Sequence, residues 1–517
     1  MPSNRVGKNK SHRVVVIGAG IGGLTAGALL ARRGYPVLVL DQALVPGGCA
    51  STFKRREFTF DVGATQVAGL EPGGIHKRIF DELEIDLPEA SFCDPACAVF
   101  LPGETEPINV WRDPEKWAAE RQRQFPGSEP FWQLMATLFN ASWKFQGRDP
   151  VLPPRSLWDL WQLASSVRPD TLITLPFTFM TVGDALRSYG LYEDQRLRTF
   201  LDLQLKLYSQ VDADETALLY AATALGVSQE PQGLFHLKGS MQVLSDRLVE
   251  ALEKYGGKLL MRHTVEQVEA SGGQATSVTI RNQKTGEVWT EPADEVVANV
   301  TVQNLVKLLG EQVPQGYKRR VDKLPPASGA FVIYLGVDQS AIPAGCPPHL
   351  QFLYDYEGPI GENNSLFVSV SHPGDGRAPE GKATIIASSF TDAAMWWQGS
   401  QEDYDALKQQ YIEEAIARLG QYFYLKPETG RSQAHYRSAI IHQEAATPRT
   451  FAYYTGRAQG VVGGIGQRIP TFGPFGFATR TPINNLWLVG DSTHPGEGTA
   501  GVSYSALTAV RQIEASS

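Results

Sequence analysis

Between residues 14 and 41 the chain reads VVVIGAGIGGLTAGALLARRGYPVLVLD, and few folds accommodate that order of residues. Val14 to Ile17 is a short β-branched run bounded by glycine, the pattern of a strand buried on both faces of a parallel sheet. The chain then turns through Gly18, Ala19, Gly20, Ile21, Gly22 and Gly23. The first glycine permits a tight turn, Gly20 lets a pyrophosphate approach the backbone, and Gly23 lets the next helix pack closely on the strand. Phosphates placed there meet the unpaired N–H groups of the helix N-terminus. Leu24 to Arg33 is rich in alanine and leucine and predicts that helix, ended by Gly34; Val37 to Leu40 predicts a second strand. It runs into Asp41, 18 positions beyond Gly23 and followed by Gln42. A carboxylate there accepts hydrogen bonds from a ribose 2′-OH and repels a 2′-phosphate. These offsets predict a dinucleotide site, with FAD and NAD both open.

The same stretch, preceded by Arg5, Lys8, Lys10 and Arg13, has the charge order of a secretion signal. Five glycines between Gly18 and Gly27, and Arg32 and Arg33 where small residues would mark cleavage, oppose that reading. Residues 1–12 read instead as a basic, flexible tail.

With 517 residues, 42% of them hydrophobic, the chain is long enough for two domains. A net charge of −8 without long basic runs gives no footprint for nucleic acid. The four cysteines, Cys49, Cys93, Cys97 and Cys346, are too few and scattered for a disulfide framework. Cys93 and Cys97 match neither a zinc knuckle nor a redox pair, so packing is expected there and no metal site. No run reaches the roughly 18 apolar residues of a membrane-spanning helix.

Further motifs flank this unit and recur near the C-terminus. Gly47, Gly48, Cys49 and Ala50 follow the ribose acid, then Phe60-Asp-Val-Gly63-Ala64-Thr65. Far along the chain, Asn485 to Gly490 predicts a strand running into Asp491, then STHPGEGTAGVSYSA through Gly501 and Val502. This combination resembles the FAD-dependent carotenoid desaturase and isomerase family, which belongs with the flavin amine oxidases. The resemblance covers nearly the whole chain in order and length, with its specific motifs in the first 70 and last 60 residues or so. It implies an α/β chain: a Rossmann-type FAD-binding domain of GR2-like flavoprotein fold, with an inserted α+β substrate domain on an antiparallel sheet. It also implies that Asp491 binds the ribityl-pyrophosphate stretch and that Gly501 and Val502 present backbone N–H to the flavin ring. A ring that becomes anionic on reduction suits the positive end of a helix.

The FAD-binding domain is expected over residues 13–100, 235–302 and 460–517, and the substrate domain over 101–234 and 303–459. In the middle of the chain, Met241, Leu244, Leu248, Leu252 and Tyr255 recur at helical spacing, followed by Gly256-Gly257, a strand over Lys258 to Met261, and Thr264 to Val268. The resemblance makes Val265 the residue whose backbone grips adenine; a βα unit without ligand contact is the alternative. Two departures stand out. Amine oxidases place a basic residue after the Gly-Gly pair where this chain has Cys49, leaving phosphate to backbone amides. Many carotene desaturases carry a small residue where this chain has Glu497, which is a proton acceptor, a substrate-orienting group or, most simply, a solvated loop carboxylate. His494 is the other candidate for proton handling, against a turn-stabilising role before Pro495.

Residues 328–337, 350–356, 365–371 and 382–389 are rich in Val, Ile, Phe and Tyr and predict an antiparallel sheet, with an amphipathic helix over 404–419. Leu157, Leu160, Trp161, Ala164 and Val167 share one helical face between arginines, which suits either a helix lying in a bilayer surface or core packing. A water-insoluble carotene would enter from lipid, so the resemblance favours a peripheral enzyme on the cytoplasmic side of a membrane lipid surface. The implied reaction is desaturation of an acyclic carotenoid, with quinone or oxygen as final electron acceptor. The Pro-Gly-Gly-Cys-Ala-Ser stretch and the Trp-rich middle are similar to the cyanobacterial branch of 3′,4′-desaturases in myxoxanthophyll-type synthesis. Poly-cis-carotene (prolycopene) isomerases, which use reduced FAD, share the fold. Lipid-carrying proteins of the GDP-dissociation-inhibitor type also share it, with degraded dinucleotide motifs; Gly18, Gly20, Gly23, Asp41 and Asp491 are intact here.

Overall fold

The computed structural model describes residues 12–424 and 437–516; the basic tail up to residue 11, with Arg5, Lys8 and Lys10, lies outside the described residues. A five-stranded parallel sheet runs in the order Leu486–Leu488, Glu295–Ala298, Val14–Ile17, Val37–Asp41, Lys258–Met261. Val14, Val15 and Val16 have no exposed surface, as a β-branched run covered on both faces requires. On one face lie the helices Ile21–Arg32, Gln242–Lys254 and Thr499–Ser516, all packed into one apolar core. On the other lies a three-stranded antiparallel sheet, His263–Ser271, Gln274–Asn282 and Val288–Pro292, with the helix Val302–Leu309. The predicted first strand, helix and second strand are all found, and the helix begins three residues earlier than expected, at Ile21.

A second, seven-stranded sheet has the order Ile440–Ala446, Ser328–Asp338, Lys382–Asp392, Ser365–Val370, His349–Leu353, Cys97–Phe100, Ile108–Val110. Its pairings are antiparallel apart from the parallel contact of His349–Leu353 with Cys97–Phe100. Along Ser328–Asp338 the side chains alternate, Phe331, Ile333, Leu335 and Val337 packing towards the helix Gln401–Tyr424 and Ala330, Val332 and Tyr334 packing on the opposite face. Strand period thus places one face of this sheet against the nucleotide-binding layers. Residues 114–226 are mostly helical, and Cys93 and Cys97 are packed in their apolar core, where burial pushes both thiols up to about 12.

The helix Leu157–Ser166 is oriented with its polar side inward. Asp159 has no exposed surface; its carboxylate accepts hydrogen bonds from Arg480 Nε at 3.2 Å, Gln512 Nε2 at 3.0 Å and the backbone N–H groups of Arg155 and Ser156. Gln162 donates to the Asp149 carbonyl and Ser166 to the Arg148 carbonyl. With the polar groups committed to the protein, the apolar stripe faces out: Leu157 is 85%, Trp161 64% and Leu160 52% exposed. Leu172, Ile173, Leu175 and Phe179 extend this exposed surface. Core packing, one of the two readings of the stripe, is therefore excluded. No helix of the described residues is long and apolar enough to cross a membrane.

Asp159→Ala removes a buried carboxylate and leaves the half-buried Arg480 without its partner, which should cost about 3 kcal/mol. Leu157→Ser on the same helix should change stability by less than about 0.5 kcal/mol. Thermal midpoints of the two variants check both, and equal losses would contradict the polar-side-in orientation.

Candidate active site

The C-terminal ends of the parallel strands meet at a cavity of about 1160 Å³. Its floor is the turn after the first strand. Gly18 has φ +95°, and a Cβ on Gly23 would stand 2.0 Å from the Gly18 carbonyl oxygen, so only glycine lets the helix start this close to the strand. The side chain of Asn299, at the end of the adjacent strand, fills the hollow over Gly20 and Gly22. Gly47 N–H donates to the Ala19 carbonyl at 2.8 Å, which clasps the second glycine pair onto the first. Asp41 accepts from Ala19 N–H at 2.6 Å and Ala43 N–H at 2.7 Å, while burial raises its carboxyl against those two donors.

Of the residues singled out from sequence, Gly18, Gly20, Gly22, Asp41, Gln42, Gly47, Gly48, Cys49, Ala50, Gly63, Ala64, Val265, Gly490, Asp491, Gly501 and Val502 all line this cavity. Ala19 and Gly23 shape it from behind: Ala19 through its bonds to Asp41 and Gly47, Gly23 through its contact with Gly18. A register shift between Val265 and Gln267 turns that strand at the cavity wall. The N-terminus of the helix Thr499–Ser516 opens into the same space through Thr499 to Val502. Its dipole and free N–H groups favour negative charge there.

The two candidates for proton handling part company. His494 is buried outside the cavity lining, its Nε2 against the Gln146 amide at 2.8 Å, and burial pushes it down to about 3, so it is a neutral packing group. Glu497 is not a solvated loop carboxylate. Glu497 is half-buried, with Gly463 against its carboxyl and Gly464 against the neighbouring Asp491, and it lines the cavity. Gln210 Nε2 donates to its Oε2 at 3.1 Å, and Oε1 has no partner. Burial, with Asp491 adding to it, pushes this carboxyl up to about 8, against Gln210, the Gly464 N–H and Arg457.

Several cavity residues carried no sequence signal recognised beforehand. Asn299 could have been found, since it ends a buried run, and ligands gather at strand ends of parallel sheets. Arg457 follows the helix Pro448–Thr455 and donates to Asp491 Oδ2 at 2.5 Å and to the Gly463 carbonyl at 2.7 Å. Beyond Glu497 the cavity continues past Lys206, Tyr208 and Tyr220 to Val332, Phe367 and Phe390 of the second sheet. Lys206 Nζ lies over the Phe390 ring at 5.5 Å and donates to the Gln210 carbonyl, and burial lowers its ammonium. Phe472 lines the cavity, and three residues on, Phe475 meets the exposed Phe179 at a ring distance of 5.5 Å. Cavity and exposed apolar surface thus adjoin.

A glycine-floored trough at the carboxyl ends of a parallel sheet, joined to a second sheet, defines the class: a dinucleotide-dependent oxidoreductase fold. Residues 16–83 match the model of the NAD(P)-binding Rossmann-like domain. The fold is that of solved structures such as cyclohexylamine oxidase from Brevibacterium oxydans, with a TM-score of 0.61 at 16% identity over 97% of this chain and 99% of that one. Among curated relatives, prolycopene isomerase 2 of an Oncidium hybrid cultivar is 28% identical over 99% of this chain and 85% of its own length. A 4,4′-diapophytoene desaturase from Methylomonas is 25% identical over 98% of this chain and 95% of its own. Over nearly its whole length the chain is thus similar to carotenoid isomerases and desaturases, and it shares the fold of FAD-dependent oxidoreductases.

Because the Glu497 carboxyl holds its proton more tightly folded than unfolded, its contribution to stability is lost as pH rises from its ordinary 4.5 towards about 8. The thermal midpoint should fall as pH rises between 4.5 and about 8, and fall less in Glu497→Gln. An unchanged slope in the variant would place that carboxyl in solvent.

Proposed function

We propose that this protein is an FAD-dependent desaturase of an acyclic carotenoid, and that the carotenoid enters from a lipid surface. The observation that carries the reading is the continuity of the cavity from the glycine turn to the uncharged wall of the second sheet, where Val332, Phe367 and Phe390 line it. At about 1160 Å³ it exceeds the roughly 300–1,000 Å³ of a site for one small ligand, so it has room for a cofactor and part of a long substrate together.

The residues present fit FAD. The turn at Gly18 to Gly23 leaves no Cβ in the path of a pyrophosphate, Asp41 stands where the ribose hydroxyls lie, and Val265 and Gln42 line the adenine end. Asp491 and the helix N-terminus at Gly501 and Val502 take the ribityl and ring end. FAD supplies there a two-electron acceptor. The remaining work is the protein's: the sheet residues Val332, Phe367 and Phe390 hold a polyene in a dry slot, and position is most of the catalysis. Glu497 is the group at the junction of the two ends that takes the proton lost beside the new double bond. The outward stripe of Leu157, Leu160 and Trp161 seats the protein on lipid, next to the Phe472 side of the cavity.

Isomerisation is the second reading, favoured by the prolycopene isomerase of Oncidium at 28% identity over nearly the whole chain. Mass spectrometry separates the two. Incubated in liposomes with a quinone, the enzyme should remove two hydrogens from an acyclic hydroxylated carotene, and Glu497→Gln should do so about 100-fold more slowly. An unchanged mass with altered retention of poly-cis lycopene would establish the isomerase instead.

Trp161→Lys together with Leu157→Asp should weaken liposome flotation at least about tenfold, since each puts a charge into the outward-facing apolar stripe. High salt should leave the wild type bound, because apolar insertion is not screened. Release of the wild type by salt would contradict the lipid seating.

A further inference from the structure

The trough faces an electrostatic problem. Four carboxyl groups, Asp41, Glu266, Asp491 and Glu497, stand in the wall of a site for a dinucleotide whose pyrophosphate is itself anionic. Backbone N–H groups of the glycine turn and the helix N-terminus offset only part of that charge. The position after Gly47 and Gly48 holds Cys49, which carries no positive charge to help.

Arg457 arrives at this place from elsewhere in the chain. It follows Gly456, whose left-handed φ of +69° ends the helix Pro448–Thr455, so it is carried on the segment that returns from the seven-stranded sheet to the cofactor layers. That segment is tied down over the trough by two bonds from one residue. Asn304 Nδ2 donates to the Gly456 carbonyl at 2.6 Å, and Asn304 Oδ1 accepts from Ala458 N–H at 3.2 Å. Gly460 closes the loop against the Pro448 carbonyl, where a Cβ would stand at 1.8 Å. The guanidinium is thereby aimed at Asp491, with Cys49 and Glu497 within electrostatic reach. Cys49 adjoins Gly48, whose Cβ position is 3.4 Å from Gly20, so Arg457, Asp491 and the two glycine turns share one neighbourhood.

Four other lysine and arginine side chains line the cavity: Arg78, paired with Asp149 at 2.7 Å, Lys206, which donates to the Gln210 carbonyl and lies over Phe390, and the ammonium groups of Lys144 and Lys307. A guanidinium presents five donors in a planar fork, so it can hold Asp491 with one edge and a phosphate with the other; an ammonium is a point charge.

We propose that Arg457 is the cation of the cofactor site, reaching in from the substrate-side segment 448–463 to bind the FAD pyrophosphate beside Cys49 while neutralising Asp491. This rests on the reading of the trough as an FAD site. It also ties cofactor retention to the segment that follows the second sheet, so the two domains are joined through the bound cofactor.

The test is retention of cofactor, read without turnover. Purified wild type and Arg457→Gln are assayed for flavin per chain, and for affinity of the flavin-stripped proteins for FAD, ADP and adenosine. The proposal predicts at least about tenfold weaker binding of FAD and of ADP, which carries the pyrophosphate, and unchanged binding of adenosine, which lacks it. Cys49→Arg added to Arg457→Gln should restore most of the loss, because the missing charge is returned from the other side of the same site. Should Arg457→Gln not accumulate as folded protein, Arg457→Lys decides: it should bind ADP about fivefold more weakly with adenosine unchanged, because the fork is lost. Equal ADP affinity in the wild type and the variant overturns the proposal, as does an equal loss for adenosine. Wild-type protein that takes up no FAD at all would overturn the prior reading instead, and is distinguishable because it precedes any substitution.

Discussion

The contact on which the rest of this structure depends is the approach of Gly23 to the carbonyl of Gly18, where any Cβ would stand at 2.0 Å. That closeness places a helix N-terminus directly at the end of a buried strand and keeps a hollow beside it. Asn299 fills the near side of the hollow, Gly47 is clasped to Ala19, and Asp41 bonds back to the turn. Each of these draws a further segment to the same point. The five parallel strands therefore end on a common trough, and the second helix N-terminus, at Thr499, faces the same space.

What distinguishes this trough is the cost of its charges. Asp41 and Glu497 are both raised by burial, which says that the cavity disfavours anions even before a cofactor with its own negative charges is considered. The remedies are of two kinds: oriented N–H groups, which add no side-chain charge, and Arg457, which does. At the opposite end the second sheet presents Ala330, Val332, Phe367 and Phe390 interleaved with Gln351, Ser365, Ser388 and Ser389, uncharged groups that need no such compensation. One cavity therefore joins an end lined by charged groups to an end lined by uncharged ones. On the outside the same division is reversed: Asp159, Gln162 and Ser166 are turned inward and Leu157 and Trp161 outward.

The nucleotide half was legible in the sequence because its signals are local. Strand, turn, helix and acid follow one another within 28 residues, and the C-terminal motif is equally compact. The four central strands of the second sheet were also readable, from β-branched runs between Pro and Gly. Cys97–Phe100 and Ile108–Val110 were not, because strands of four and three residues are too short to show a period, and Ile440–Ala446 was not, because His442, Gln443 and Glu444 interrupt its apolar run. Periodicity revealed the stripe at Leu157 but not its direction; the buried Asp159 and its partners Arg480 and Gln512, over 300 residues away, decide that. Arg457 and Gln210 reach the site from segments without motifs, and only the folded chain brings them to Asp491 and Glu497. The partial burial of Glu497 was invisible for the same reason, since Gly463 stands against its carboxyl.

The central claim is that one cavity brings an acyclic carotenoid against FAD for oxidation. Anaerobic mixing of the oxidised holoenzyme with an acyclic carotene in liposomes, followed by flavin absorbance, tests it most directly. The account predicts loss of the oxidised flavin band in step with the appearance of a product carrying one more double bond, both in a single turnover. A flavin band that stays oxidised while the carotene is consumed or merely changes isomer would contradict it.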